Sequence, residues 1–279
     1  MPLTLVPTEM ITKEQFAAQG LAFSREAGVE NGLHCYFVQH CSRLYQTCKQ
    51  FGLFDGRLGD VMEIGAFYGY TPFFLQPLAS SQIVLEGDDP AVYALKPLYE
   101  KRNIRVQFVD LFEIFGPTHT APHQLPVPSG SLDTILCWET MEHLNFNPVR
   151  FVRELHRVLK PGGKVYVTVP NKASFQSLFG LLLGRSDRNV VDTYFEFENY
   201  VSNGKNAFYG FHWREYAPGE LRHLFSKAGF LVRRCDTFVS FQSHARISLL
   251  RRTLRSLNTV AAGLLRRHGT NVALVAEKG

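Results

Sequence analysis

Between residues 60 and 169, short apolar runs rich in β-branched residues alternate with stretches of helical periodicity. The runs are DVMEI at 60–64, QIVLE at 82–86, IRVQFV at 104–109, LDTILCW at 132–138 and KVYVTV at 164–169. Their length and composition predict strands. Helical periodicity predicts helices over 70–79, 90–100, 147–159 and 217–228. Pro72 and Pro90 suit a first helical turn, whereas Pro97 should kink or shorten its helix. Upstream, Thr12 and Gln15 form a capping box opening a helix over 13–27, and a second helix covers 31–51. Strands over 229–239 and 271–277 complete the pattern, and the chain has no internal repeat or low-complexity tract.

Strand and helix alternating with short connections predict an α/β fold with a parallel, doubly wound sheet. Such sheets bind ligands beyond the carboxyl ends of their strands, at the switch point. The first strand end is E-I-G-A-F-Y-G, 63–69. Gly65 permits a tight turn, and Gly69 lets the chain approach a ligand at a helix start. A dinucleotide fingerprint begun at Gly65 would need glycine at 67 and 70, where Phe67 and Tyr70 stand. An ordinary strand-to-helix turn is the competing reading.

The second strand end is L-E-G-D-D-P. Glu86 lies 21 positions after Gly65, the spacing of a carboxylate that grips ribose hydroxyls, with Asp88 as the next candidate. Asp89, before Pro90, suits a helix cap. At the third, F-V-D-L-F, Asp110 can accept from an exocyclic adenine amine with Leu111 and Phe112 beside the ring, or serve as a solvated turn carboxylate.

The fourth strand ends L-C-W-E-T-M-E-H-L and is followed by R-V-L-K-P-G-G, V-P-N, H-W-R-E-Y-A-P-G-E-L and K-A-G-F. In this order, over roughly residues 55–240, the chain resembles the class I S-adenosylmethionine-dependent methyltransferases of the small-molecule branch. The resemblance implies a Rossmann-like, seven-stranded sheet, mostly parallel with an antiparallel last strand, plus helical caps. It implies S-adenosyl-L-methionine as cofactor and S-adenosyl-L-homocysteine as product. Glu63, Gly65, Ala66, Phe67 and Gly69 would form the cofactor loop. Glu86, with Gly87 and Asp88, would hold the ribose, and Asp110 and Leu111 would flank adenine. Cys137, Trp138 and Glu139 would line the floor near the transferred methyl group. Glu142 and His143 match the E-H pair of this branch, and Pro170 and Asn171 would close the substrate side. The family loop commonly reads E-x-G-x-G-x-G, so the chain departs at Phe67. The cofactor carries no pyrophosphate, so dinucleotide spacing is not obligatory.

A hydroxyl acceptor needs a general base. The candidates are His143, His212, Glu139 and Tyr216. His143 competes with a helix-start or packing role, and His212 with a surface-loop histidine. His34 and His40, each followed by cysteine, fit no common zinc spacing, so no metal is expected.

Domain organisation follows. Residues 1–55 form an N-terminal helical cap, and 56–279 the methyltransferase domain. An aromatic-rich insertion over 172–213 suggests a lid, and with it an apolar, ring-bearing or lipid-like acceptor: a natural product, glycan or lipid-linked intermediate. The aromatics could equally be the lid's own small core.

Net charge is +5, but residues 241–279 hold seven basic residues against one acidic, which leaves residues 1–240 at −1. A basic amphipathic helix over 246–267 therefore either packs on the domain with a solvated rim or touches an anionic membrane or lipid-linked acceptor. No stacking motif accompanies it, so nucleic acid is not expected. Five cysteines without a C-x-x-C pair predict a reduced interior. The start MPLTLVPTEM lacks a secretory pattern, and no apolar run approaches spanning length, so the expected location is cytoplasmic or membrane-peripheral. The rival readings are a non-catalytic cofactor-binding protein on this fold and an NAD-dependent oxidoreductase.

Overall fold

The structure, a computed structural model, describes residues 11–26, 32–67, 70–87, 90–116, 124–184, 211–240 and 267–279. Gly69, Asp88, most of the expected lid and nearly all of the expected basic helix lie outside the described residues.

Seven strands form one sheet: β1 (Gly59–Ile64), β2 (Ala79–Glu86), β3 (Ile104–Phe108), β4 (Leu132–Trp138), β5 (Leu159–Pro170), β6 (Phe230–Phe238) and β7 (Asn271–Lys278). Their order is β3-β2-β1-β4-β5-β7-β6. β1 runs parallel to both β2 and β4, and β7 alone runs antiparallel, to β5 and β6. The chain reverses direction across the sheet between β1 and β4. Their carboxyl ends adjoin there, with Ile64 opposite Cys137.

The helices are α1 (Lys13–Glu26), α2 (Gly32–Phe51), α3 (Thr71–Leu75), α4 (Pro90–Tyr93), α5 (Lys96–Lys101), α6 (Leu111–Phe115), α7 (Pro148–Val158), α8 (Phe175–Leu182) and α9 (Pro218–Lys227). The capping box forms as expected. The Thr12 N–H donates to Gln15 Oε1 at 2.7 Å, and the Gln15 N–H to Thr12 Oγ1 at 3.2 Å. The helix expected over 90–100 is two pieces, with Pro97 in the first turn of the second. Pro cannot donate an intrahelical bond, but a first turn does not require one. The helix expected over 70–79 gives way to a 3₁₀ turn at Gln76–Leu78, where Pro77 falls, and Ala79 already belongs to β2.

Successive side chains of a strand face opposite sides, so each strand feeds two cores. Met62, Ile64 and Cys137 pack with Phe151, Leu155, Leu221 and Phe225, from α7 and α9. Val61, Leu136 and Trp138 pack with Phe16, Phe23, Phe37, Phe73 and Tyr99, from α1, α2, α3 and α5. The N-terminal helices therefore share a core with the sheet and carry side chains to its carboxyl edge. No helix among the described residues is long and apolar enough to cross a membrane.

Candidate functional site

The site starts where β1 leaves the sheet. Glu63 points to the α1–α2 side and is buried, and its Oε2 has no hydrogen-bond partner among the described residues. Burial, and then the charge of Glu86, push its carboxyl well above the usual range. Gly65 has φ +70, which favours glycine. A Cβ there would lie 2.6 Å from Thr140 Oγ1. That hydroxyl is itself fixed, 3.0 Å from both the Ile64 and Trp138 carbonyl oxygens. The β1 turn and the β4 turn thus pack directly on one another.

Ala66 is buried, and Phe67 follows at φ 45. The Phe67 N–H donates to Glu86 Oε1 at 2.7 Å, and its half-buried ring meets Tyr36 of α2 edge-on at 5.2 Å. Glu86 is therefore positioned at the loop's own backbone. The buried Tyr99 hydroxyl, which has no partner among the described residues, lies near enough to both carboxylates for their charges to add to the upward push of burial on its pKa. Two buried carboxylates side by side, one with an orphaned oxygen, need donors or a cation. S-adenosylmethionine offers an ammonium group and two vicinal hydroxyls, so the donor set fits this pair.

At β3, Asp110 caps α6, with Oδ1 accepting from the N–H groups of Phe112 at 2.9 Å and Glu113 at 3.2 Å. Leu111 packs partly into the core. At β4, Cys137 is wholly buried in the α7–α9 core, and burial holds its thiol protonated. Trp138 is buried on the opposite face, stacked on Phe51 at 6.4 Å between centroids.

Glu139, the first residue beyond β4, has φ 48, and its N–H donates to the Thr168 carbonyl at 2.8 Å. Its carboxylate accepts from Arg43 at 3.0 Å and, with both oxygens, from Asn271 Nδ2 at 3.1 Å. The Asn271 amide orientation is fixed because its Oδ1 accepts from Ser240 and Thr270. Glu139 is thus an anchored anion joining α2, β4 and β7.

The next turn, Met141–His143, brings together residues far apart in sequence. The His143 Nδ1 lies 3.0 Å from the Phe211 carbonyl, and the Trp213 N–H donates to the Glu142 carbonyl at 2.7 Å. These bonds stitch 211–213 onto the β4 turn and set the His143 and His212 rings edge-on at 4.9 Å. The His212 Nδ1 sits 2.8 Å from Glu215 Oε1. Glu142 is buried, while the His143 and His212 side chains keep 27% and 32% exposure. Burial lowers the His143 pKa, so its ring is neutral near pH 7. Tyr216 is buried and pushed up to about 12 by burial, which removes it as a base near neutrality. Asn171 spends its side chain on backbone, donating to Arg267 and Gly269 carbonyls and accepting from the Ala173 N–H. His40 is buried in α2 against Tyr36.

Sequence reasoning did not single out Arg43, Thr140, Glu215 or Asn271. Arg43 and Asn271 are 96 and 132 positions from Glu139, so no local spacing signals them. Glu215 lies three residues after His212, and its spacing was the one available clue.

A family model described as a methyltransferase domain matches residues 37–234. A relative from Mycolicibacterium smegmatis, named as a probable S-adenosylmethionine-dependent methyltransferase, is 30% identical over 174 residues, covering 62% of this chain and 52% of the relative. The chain spans about half the length of the curated relatives it matches. Among solved structures, an S-adenosylmethionine-dependent methyltransferase from Mesorhizobium loti aligns with a TM-score of 0.53 at 15% identity, covering 84% of this chain and 100% of that one. One from Thermotoga maritima aligns at 0.52 and 18%, covering 93% and 100%. These two likenesses are of fold. The glycine turn, the buried carboxylates at the switch point and the matched model together place this chain in the methyltransferase-domain family, whose cofactor is S-adenosylmethionine.

Proposed function

We propose that this protein transfers a methyl group from S-adenosylmethionine to an oxygen or nitrogen of a small-molecule acceptor. One observation carries the reading: the buried Glu63–Glu86 pair at the switch point, with an orphaned carboxylate oxygen beside a left-handed glycine turn. When bound, the cofactor supplies the methyl group; the acceptor's lone pair forms the new bond to carbon as the sulfonium C–S bond breaks, its electrons staying on sulfur.

The protein's share is positioning and the acceptor's proton. Glu63 and Glu86 would hold the cofactor's ammonium and ribose hydroxyls. Phe67, Tyr36 and the Arg43–Glu139 pair would border the reacting end. The Glu139 carboxylate is already engaged by Arg43 and Asn271. His143 and His212 are the better candidates, because each has Nδ1 held by an acceptor. An apolar acceptor is supported by α8, which lies within the expected lid and leaves Phe179, Leu181 and Leu182 strongly exposed among the described residues. A lipid-linked or natural-product acceptor and a cytoplasmic or membrane-peripheral location agree with that surface.

Calorimetry with S-adenosylmethionine and S-adenosylhomocysteine tests the reading. Micromolar binding of both, weakened at least tenfold in Glu86→Ala, is expected. No heat with either ligand removes it.

A further inference from the structure

Glu142, His143 and His212 offer one ligand atom each, and these atoms all lie within 4.8 Å of one another. We propose that this trio is a divalent-metal site for a borderline transition cation such as Zn²⁺, with a coordination position left for an oxygen of the acceptor. The activating role rests on the methyl-transfer reading above; the metal site does not.

The tautomers carry the inference. The group facing His143 Nδ1 is a backbone carbonyl, which can only accept, so Nδ1 carries the proton and Nε2 the lone pair. The group facing His212 Nδ1 is the buried Glu215 carboxylate, which fixes that ring in the same tautomer. A metal-ligating imidazole has this arrangement, with its second nitrogen donating to a carbonyl or carboxylate that sets its orientation and raises its basicity. Here both histidines have it. His143 Nε2 lies 3.9 Å from Glu142 Oε1, a separation that one shared cation can bridge with modest side-chain adjustment.

Charge points the same way. Among the described residues Arg43 pairs with Glu139, while the Glu142 and Glu215 carboxyl groups stand directly beside the two imidazoles. Two nitrogens and one carboxylate oxygen select a transition cation over Mg²⁺ or Ca²⁺, which prefer oxygen shells. Three protein ligands, the two histidines partly exposed and Glu142 buried, are the number that catalytic zinc sites use, with the fourth position open.

With an acceptor hydroxyl in that position, the metal lowers the pKa of the O–H, and the proton leaves to solvent water. The oxygen then has its lone pair available for the methyl carbon. The histidines act as ligands in that state and take no proton themselves.

The test uses the whole chain, stripped with a chelator and titrated with Zn²⁺ alone. About one equivalent is expected at micromolar or tighter affinity. Cobalt loading of the unaltered protein should give the visible bands of a low-coordinate nitrogen–oxygen site, which needs no variant to fold. His143→Ala and His212→Ala should each weaken Zn²⁺ binding at least 100-fold, and Glu215→Gln roughly tenfold as an orienting residue. His223→Ala, on the exposed side of α9, should change nothing. Circular dichroism identifies any variant that fails to fold. Uptake below one equivalent by the unaltered protein, or uptake that survives both His143→Ala and His212→Ala, overturns the site. Stoichiometric Zn²⁺ uptake without S-adenosylmethionine binding would uphold the site and sink the methyl-transfer reading. Methyl transfer unaffected by chelation would overturn the activating role.

Discussion

Arg43 and Glu139 meet at 3.0 Å across 96 residues of chain, each with 16% of its side chain exposed. Glu139 holds a left-handed backbone, φ 48, to make the contact. Such a conformation persists in a non-glycine residue only where its surroundings fix it. Here they are the Thr168 carbonyl on its N–H and three donated hydrogen bonds on its carboxylate.

Arg43→Ala removes one donor and leaves a mostly buried carboxylate with Asn271 alone. Breaking a buried pair costs about 3–5 kcal/mol, and partial exposure should reduce this to about 2 kcal/mol. Urea denaturation should show a lower midpoint at unchanged slope. Arg43→Lys should recover only part, because one ammonium does not reproduce the guanidinium fork. An unchanged midpoint in Arg43→Ala would mean that the pair adds no stability.

Gly20 lies inside α1, where alanine would ordinarily stabilise by about 0.5–1 kcal/mol. A Cβ at Gly20 would collide with the Phe37 ring, which is itself buried. Overpacking costs about 1–3 kcal/mol and should reverse the sign. Gly20→Ala is therefore expected to lower the melting temperature. Phe37→Leu alone should also destabilise, and the double variant should be more stable than the sum of the two changes. Strict additivity would show that the two residues do not compete for one space.

At Gly65 two costs combine: a left-handed φ and Thr140 Oγ1 at 2.6 Å from a new Cβ. Gly65→Ala should cost about 1–3 kcal/mol and weaken S-adenosylmethionine binding at least tenfold, because it pries the β1 and β4 turns apart. Thr140→Ala removes the clash but leaves φ strained, so the double variant should recover stability in part only. Full recovery would assign the whole effect to the clash; none would assign it to the backbone.

The sheet was legible because its signals are local. The run at 132–138 is β4 with the expected bounds, and the expected 271–277 is β7, one residue longer. Thr12 and Gln15 cap α1, and Pro97 divides its helix, as local chemistry required. β5 begins at Leu159, five residues ahead of the expected start, because Lys-Pro-Gly-Gly reads as a turn while Leu159 still pairs with Leu132. α6 carries no signal of its own: Asp110 reads in sequence as an adenine acceptor or a turn carboxylate, whereas its side chain caps the helix through the Phe112 and Glu113 N–H groups. The Glu139 network and the His143–His212 contact depend on tertiary closure over tens of residues. A single sequence carries no period or spacing for them.

Glu63 separates the needs of stability from those of binding. Its folded carboxyl is held protonated well above 4.5, first by burial and then by Glu86. Below pH 4.5 both folded and unfolded chains keep the proton, and Glu63 makes no difference. As pH rises above 4.5 the unfolded carboxyl ionises while the folded one does not. The folded state then binds more protons, and stability falls with pH until the folded group itself titrates. Glu63→Gln cannot ionise, so its advantage over the unaltered protein should be absent near pH 4 and should grow towards pH 7. S-adenosylmethionine affinity should move the other way, at least tenfold weaker in the variant, since the amide cannot pair with the ammonium group. Urea titrations from pH 4 to 8 with matched calorimetry decide it. If the variant is less stable at pH 7 than at pH 4 relative to the unaltered protein, Glu63 is ionised and already satisfied in the free protein. The buried pair would then no longer point to a cationic ligand.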